Sequence, residues 1–331
     1  MSTPTPAQPP TTTGRTTTPA AVPRVRRREI GRTITGAART RRGIAGLVAT
    51  VAVLLVAFVG PFVTPYDPNA YVTTPFAKPS SQHLLGGDVL GRDVFSRVLD
   101  GGWKLVIMAA IATLLGVGLG ALIGVYAGYR KGRTDNLFMR GVDVVLAFPQ
   151  LVFALLLVSV AGASNWLLVV AVGISHAPQV ARVLRASTLE VSERDYVKAI
   201  ELDGFSTWRV MNGEILPNLV TPLMVELGLR MTYSIVIMAG LSFIGFGLAP
   251  PDPNWGAMIN ENRIGLTLNM WATISPAIVI ALLTIGLNTF TDAITRVALG
   301  VDRRSAGSQL PVPALVANET VSASDVTEPT P

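Results

Sequence analysis

Long apolar segments alternate with shorter polar segments along most of the chain. A membrane-spanning helix needs about 20 mostly apolar residues. Six segments approach or exceed this length: 43–63, 105–126, 144–161, 166–183, 219–244 and 271–294. Polar residues and a proline interrupt the fourth segment at Ser175, His176 and Pro178. The pattern predicts an all-α integral membrane protein with six transmembrane helices.

Glycines recur at every fourth position in the second apolar segment, at Gly116, Gly120 and Gly124. Residues four apart lie on one face of a helix, and a stripe of small residues lets another helix approach closely. The stripe therefore predicts tight helix packing and no particular chemistry.

A polar, mixed-charge segment, residues 196–217, separates the fourth and fifth apolar segments. Its apolar residues follow a helical period with one gap: Val197, Ile200, Trp208, Met211 and Ile215. Ser192 is a candidate N-cap for a helix that begins near Arg194, and Gly204 is placed to end that helix. We expect two short amphipathic helices whose apolar face is available to a soluble partner or to lipid.

Composition supports a membrane protein. Half of the residues are apolar, 15% are charged, and the mean hydropathy is +0.47, whereas soluble domains carry about a quarter charged residues. The chain has no cysteine, which excludes disulfides and thiolate metal sites. Its two histidines, His83 and His176, lie far apart in the sequence, which argues against a histidine metal site.

Lysine and arginine indicate the orientation, because they are enriched in cytoplasmic loops. With a cytoplasmic N-terminus, twenty-one of the 27 basic residues fall in inside segments and five fall outside. Both termini and the 196–217 segment are therefore predicted to be cytoplasmic, in a multi-pass protein of the cell membrane.

The two ends of the chain differ in composition from the rest. Residues 1–42 are rich in Thr and Pro and then in Arg, and residues 301–331 are polar. Such segments cannot bury a core, so we expect disordered cytoplasmic tails. Residues 43–103 would form the first transmembrane helix and an extracytoplasmic loop. Residues 104–300 would form the core membrane domain, with a cytoplasmic loop at 192–217.

The polar face of the predicted loop helices carries both signs of charge. Lys198 and Arg209 are accompanied by Glu201, Asp203 and Glu214. A helix that lies on anionic lipid is typically rich in Lys and Arg alone. The mixed face favours docking into a protein groove, which is a recurrent recognition mode.

The loop resembles the cytoplasmic motif of ABC importer permeases, which reads E-A-A, three residues, G, nine residues, then a hydrophobic-x-L-P ending. Four residues match at the same spacing: Ala199, Gly204, Leu216 and Pro217. Lys198, Ile200 and Glu214 depart from the pattern, and Lys198 reverses the charge of the usual glutamate.

Three further motifs resemble the dipeptide/oligopeptide/nickel-type permeases, specifically the second permease of each transporter. His83–Arg97 is similar to their H-x-L-G-T-D-x-x-G-R-D-x-x-S-R signature, with Gly87 in place of threonine. The run from Asp143 to Pro149 resembles the entry to their third span. The segment 241–256 resembles their L-S-F-L-G-x-G…P-P…W-G segment.

This resemblance implies a type I ABC importer permease fold and a set of partners. These are a homologous second permease, two cytoplasmic ATPases, an extracytoplasmic binding protein or lipoprotein, and membrane lipid, with no nucleic acid. Coupling to the ATPase would involve the following loop residues: Val197, Lys198, Ala199, Ile200, Glu201, Gly204, Leu216 and Pro217. A purely structural loop helix is the alternative.

We expect no enzyme activity and no bound cofactor in this chain. It has no G-x-x-x-x-G-K-[ST] phosphate loop, so ATP and Mg²⁺ would be bound by the partner ATPases. The resemblance implies import of di- or oligopeptides, with nickel or metallophore import as the alternative within the family.

Two pairs of charged residues are further candidates. Glu226 and Arg230 lie four apart in the fifth span, where an ionisable residue is a functional candidate. They either line the pathway or a gate, or form a structural pair. Arg92 and Asp93 lie outside the membrane and either contact the binding protein or form a surface salt bridge.

Two functions outside this family remain alternatives. A stand-alone ion-coupled carrier would be expected to have repeats and charges at the bilayer midplane, for which only Glu226 and Arg230 qualify. A membrane anchor or receptor would use the loop helix to recruit a signalling protein instead of an ATPase.

Overall fold

The computed structural model describes residues 27–162, 164–247 and 251–298. Apart from short 3₁₀ and π turns, regular structure in these ranges is α-helical: α1 Arg27–Ala37, α2 Arg41–Val59, α3 Val94–Asp100, α4 Trp103–Arg130, α5 Gly132–Leu146, α6 Gln150–Ala161, α7 Asn165–Ser192, α8 Asp195–Leu202, α9 Thr207–Val210, α10 Leu216–Asn218, α11 Val220–Ile244, α12 Trp255–Asn262 and α13 Trp271–Ala298. The predicted all-α fold is confirmed.

Five helical segments within the described ranges are long and apolar enough to cross a membrane. They contain α2, α3–α4, α7, α11 and α13. A sixth span exists only if α5 and α6 are counted as one, and these two helices meet at an angle of 87°. The number of spans is therefore five or six.

The predicted third span, 144–161, is not a straight helix. Its first residues belong to α5, and α6 begins at Gln150 after Pro149. Proline lacks an amide hydrogen and is accepted at a helix start. At about 1.5 Å per residue, the 12 residues of α6 reach about 18 Å, which is shorter than the hydrocarbon core of a bilayer.

The interrupted fourth segment forms a continuous 28-residue helix, α7. Within its most apolar 18-residue stretch, 67% is buried. Ser164 caps its start by accepting a hydrogen bond from Leu167 N. Pro178 lies inside the helix, and Ser175 and His176 are buried with hydrogen-bond partners. Satisfied polar groups explain why this segment need not break.

The glycine stripe of α4 packs closely on another helix, as predicted, and the structure shows that this helix is α7. A Cβ atom at Gly120 would lie 2.6 Å from Ala177 O, and one at Gly124 would lie 2.5 Å from Ala181 O. Gly128 extends the stripe by one turn, where a Cβ would lie 2.8 Å from Arg185 O. The backbones of the two helices are therefore in direct contact.

The first and last spans, α2 and α13, form a second close pair. A Cβ atom at Gly46 would lie 2.7 Å from Phe290 N, and one at Gly286 would lie 2.7 Å from Thr50 Oγ1. Thr40 caps α2 by accepting a hydrogen bond from Gly43 N at 3.0 Å.

The basic segment before α2 contains the helix α1, which packs on α13 and was not predicted. Residues 1–26 and 299–331, and with them most of the predicted tails, lie outside the described residues.

Candidate functional site

The polar segment between α7 and α11 forms α8, α9, a π-helical turn at Met211–Ile215, and α10. We call residues 193–219 the α8–α10 loop. Arg194 is the N-cap residue of α8, in an extended conformation. Ser192 is not a cap, because its hydroxyl donates to Leu189 O within α7. Gly204 follows α8 with φ = +79°, the left-handed conformation expected of a helix-ending glycine.

The predicted apolar face of this loop mostly faces inward. Val197, Met211 and Ile215 pack in a buried cluster with Val125 of α4 and Val191 of α7. The fully buried Val197 therefore offers no surface to a partner, and its side chain attaches α8 to α4 and α7. Trp208, assigned to the same face, is 66% exposed. Gly204, with φ = +79°, separates the helix of Val197 from the helix of Trp208. The π turn at Met211–Ile215 instead fits the four-residue steps between the buried Met211, Ile215 and Leu219.

A different set of apolar residues faces solvent. Leu202, Phe205 and Trp208 are 88%, 40% and 66% exposed. We call these three residues the exposed loop face. The guanidinium carbon of Arg209 lies 4.5 Å from the centre of the Phe205 ring, a cation–π contact. Apolar side chains concentrated on a polar loop are typical of an interaction site.

The remaining predicted coupling residues lie in the same loop and differ in exposure. Lys198, Ala199, Glu201, Gly204 and Leu216 are exposed. In addition, Ile200 and Pro217 are partly buried, and Ile200 packs on the inner cluster. The structure thus brings the predicted residues together in one loop but divides them between an inner and an outer side.

Lys198 belongs to a chain of ion pairs. Its ammonium lies 2.9 Å from Glu193, which also pairs with Lys131 at the end of α4. Hydrogen bonds from Lys131 and then Lys198 lower the pKa of Glu193 to about 2. The same carboxylate raises the pKa of Lys198. The carboxylate of Glu201, another predicted coupling residue, faces the Tyr129 hydroxyl.

A second site is a buried hydrogen-bond chain between the spans. His176 Nε2 lies 2.9 Å from Ser234 Oγ, which lies 2.9 Å from Thr113 Oγ1. The Thr113 hydroxyl donates to Ala109 O at 2.7 Å, and Gln150 Nε2 reaches His176 Nδ1. One consistent assignment is a neutral His176 that accepts from Gln150 and donates to Ser234. The chain joins α6, α7, α11 and α4.

Glu226 and Arg230 form a buried ion pair beside this chain. The Arg230 Nε donates to Glu226 Oε2 at 2.9 Å, and its Nη1 donates to Gln179 of α7. The two charged residues are 5% and 9% exposed. The predicted intrahelical pair is present and also connects α11 to α7.

The predicted docking residues Arg92 and Asp93 are 4% and 1% exposed. Arg92 pairs with Asp88 at 2.6 Å and with Glu261 at 2.9 Å. Asp93 caps α3 by accepting a hydrogen bond from Ser96 N at 2.8 Å. Its other carboxylate oxygen lies 2.9 Å from His83 Nδ1. Because these side chains are committed to internal pairs, they offer no docking surface in this chain. The salt bridge considered as the alternative is present, but it is buried and not at the surface.

Residues of two predicted motifs stabilise this region between α2 and α4. Asn262 accepts a hydrogen bond from Val89 N, and Asn269 donates to Leu85 O and Gly87 O. Trp255 is fully buried and donates to Val98 O at 2.8 Å. The His83–Arg97 signature and the segment around Trp255 therefore form one structural unit.

The family of this chain follows from its similarity to known proteins. A family model described as "Binding-protein-dependent transport system inner membrane component" matches residues 120–298, which is more than half of the chain and contains the α8–α10 loop, most of the buried hydrogen-bond chain and the Glu226–Arg230 pair. The chain belongs to this family. It is an inner-membrane component of a binding-protein-dependent transport system.

Three relatives of this inner-membrane component cover most of both chains. The glutathione transport system permease protein GsiD of Pectobacterium atrosepticum is 34% identical over 77% of this chain and 86% of its own length. A putative peptide transport system permease protein of Brucella suis is 35% identical over 75% of this chain and 84% of its own length. The probable D,D-dipeptide transport system permease protein DdpC of Escherichia coli is 33% identical over 80% of this chain and 89% of its own length.

Sequence reasoning missed several residues of this transport component. Leu202 and Phe205 were overlooked because they lie off the apolar period. Gln150, Gln179 and Ser234 were overlooked because single polar residues in apolar segments carry no spacing signal. Their common feature, a polar side chain within a span, was available as a signal, because such groups require partners in the membrane.

Proposed function

We propose that this chain is the permease subunit of an ATP-driven importer of short peptides. It pairs with a homologous permease, two cytoplasmic ATPases bind its loops, and an extracytoplasmic binding protein delivers the substrate. ATP and Mg²⁺ bind to the ATPases, and this chain carries out no catalysis. The observation that carries the peptide assignment is the agreement of three relatives whose names specify glutathione, peptide and D,D-dipeptide transport.

The exposed loop face is the proposed contact with the ATPase. Leu202 and Trp208 leave large apolar surfaces in water, and burial of one such side chain contributes about 1.5–3 kcal/mol. Aromatic anchors surrounded by polar groups are typical centres of protein interfaces. Here the surrounding groups carry both signs of charge, which suits a protein groove.

The inner side of the same loop supports coupling to the membrane. Val197 of α8 packs with Val125 of α4 and Val191 of α7. The Lys131–Glu193–Lys198 ion pairs tie α8 to the end of α4 as well. A displacement of α8 by a closing ATPase would therefore act on two spans that are packed backbone to backbone.

The coupling proposal is tested by the Trp208→Ala variant. We expect loss of the ATPase subunits on co-purification, with unchanged amounts and thermal stability of this chain. Leu84→Ala is the matched control, because Leu84 is 59% exposed and lies between α2 and α4, far along the chain from the α8–α10 loop. Normal ATPase retention and uptake by Trp208→Ala would contradict the proposed contact.

The substrate class is tested by uptake into cells with and without this chain. The panel contains labelled dipeptides, longer peptides, glutathione and nickel. We expect chain-dependent uptake of short peptides that requires ATP. Uptake of nickel alone would contradict the peptide assignment, and ATP-independent uptake by the purified single chain would contradict the importer assignment in favour of an ion-coupled carrier.

A further inference from the structure

A cavity of about 580 Å³ opens between the start of α2 and the end of α13. Its polar lining comes from both helices: Thr40, Arg41, Arg42, Thr289, Asp292 and Arg296. The cavity lies at the start of the first span and near the end of the last span. The bias of basic residues predicts that this is the cytoplasmic surface.

The charged groups of this cavity are not used elsewhere in the part of the chain that the structure describes. Arg41, Arg42, Arg296 and Asp292 form no ion pair or hydrogen bond with described side chains. Asp292 and Arg296 are one turn apart on α13 and still do not pair. Three arginines and one aspartate leave an excess of two positive charges, and the positive end of the α2 dipole adds to it.

Exposed apolar residues continue from the cavity along both helices. On α13, Leu282 and Ile285 precede Thr289, Asp292 and Arg296 at helical spacings of three and four, so all lie on one stripe. Leu282 and Ile285 are 47% and 62% exposed.

The corresponding stripe on α2 runs from Arg41 through Ile44 and Val48 to Leu55. These three apolar residues are 47%, 61% and 56% exposed. A cationic cavity at the membrane surface thus continues into two apolar stripes that point into the bilayer.

We propose that this cavity binds the headgroup of an anionic phospholipid, with the acyl chains lying along the α2 and α13 stripes. The arginines would bind the phosphate oxygens by charge-assisted hydrogen bonds. Basic pockets between transmembrane helices at the cytoplasmic side suit such headgroups. Free phosphate shares the anionic chemistry but makes no use of the apolar stripes, which is why the structure favours a lipid.

The test measures binding of phosphatidylglycerol to the full-length chain, purified in neutral detergent with the subunits that accompany it. Phosphatidylcholine and inorganic phosphate are titrated in parallel. The double variant Arg41→Gln/Arg296→Gln should bind phosphatidylglycerol about 25-fold more weakly, at about fivefold for each arginine. The double variant Arg39→Gln/Arg133→Gln removes the same charge outside the cavity lining and should bind normally.

A gain-of-binding variant guards against misfolding as an explanation. Asp292→Asn removes the negative charge of the cavity and should bind phosphatidylglycerol about fivefold more tightly, by the same electrostatic argument. An equal loss in both double variants would overturn the site in favour of general attraction. Equal binding of phosphatidylcholine, or complete displacement of lipid by millimolar phosphate, would overturn the lipid assignment, and an unchanged Asp292→Asn variant would overturn the role of this cavity.

Discussion

Val197 and Leu202 lie five residues apart on α8 and face opposite directions: Val197 is fully buried and Leu202 is 88% exposed. The first belongs to a cluster shared with α4 and α7, and the second to the exposed loop face. One short helix therefore has one side packed on the spans and one side in the exposed loop face. Under the proposed contact with the ATPase, attachment to the spans and docking should be separable by substitution.

Leu202→Ala should weaken ATPase retention without lowering the thermal stability of the chain, because its side chain has few neighbours to lose. Ile215→Ala should have the opposite effect. Ile215 is fully buried in the inner cluster, and truncation of a buried isoleucine costs about 2–5 kcal/mol. Thermal unfolding in detergent and co-purification of the ATPase measure the two properties. The separation is wrong if both variants lose stability equally.

The division of α8–α10 between an inner and an outer side shows what periodicity can predict. The sequence pattern located the loop, its two helical parts and the glycine that separates them. It assigned Trp208 to the same face as Val197 because the period was continued across Gly204. The left-handed conformation of Gly204 changes the direction of the chain between α8 and α9, and this change is not visible from the spacing of apolar residues.

Gly204→Val should destabilise the loop by about 1–2 kcal/mol, because a side chain is disfavoured at φ = +79° and a β-branched one most of all. Open space surrounds the position, since a Cβ atom added to Gly204 would have no neighbour within 4 Å, so the backbone conformation is the whole cause. Gly204→Asn should be much milder, since asparagine tolerates the left-handed region. Proteolysis of the loop and ATPase retention measure the effect, and equal behaviour of both variants would contradict it.

Gly120→Leu should prevent normal packing of α4 on α7. A Cβ atom there would already lie 2.6 Å from both Ala177 O and Val180 Cβ, and overpacking typically costs about 1–3 kcal/mol. Gly118→Leu is the matched control on the same helix, because nothing lies within 4 Å of its Cβ position. Thermal stability and expression level should fall only for Gly120→Leu. A similar loss in Gly118→Leu would indicate a general effect of leucine in this helix.

The membrane segments illustrate a second limit of sequence reasoning. Apolar length predicted the spans and glycine spacing predicted that α4 packs closely on another helix, because both depend on local composition. The identity of that helix, α7, was not predicted. The 87° bend between α5 and α6 coincides with Pro149, whereas Pro178 leaves α7 unbroken. The two prolines differ in their tertiary surroundings, since Pro178 is buried in the α4–α7 contact whereas Pro149 is exposed.

Glu226→Leu and Arg230→Leu should each destabilise the chain by about 3–5 kcal/mol, because each leaves an unpaired buried charge. The double variant should recover most of this loss, since two leucines remove both charges. The low exposure of both residues favours a structural pair, so the double variant should also retain peptide uptake. Recovered stability with abolished uptake would instead place the pair in the pathway or gate.

Lys198 stands where the family motif has an acid, and its pairing with Glu193 makes a pH-dependent prediction. The pKa of Glu193 is lowered to about 2, so its contribution is complete above the ordinary pKa of 4.5 and is lost as the pH falls through about 2. The pKa of Lys198 is raised, so its contribution is complete below the ordinary pKa of 10.5 and is lost only at higher pH.

Lys131→Met should raise the pKa of Glu193 more than Lys198→Met, because the Lys131 hydrogen bond is the largest cause. Lys198→Glu should raise it as well, by placing a like charge beside it. A carboxyl-carbon NMR titration, assigned by Glu193→Gln, measures these shifts, and a Glu193 pKa unchanged in all three variants would contradict the ion-pair chain.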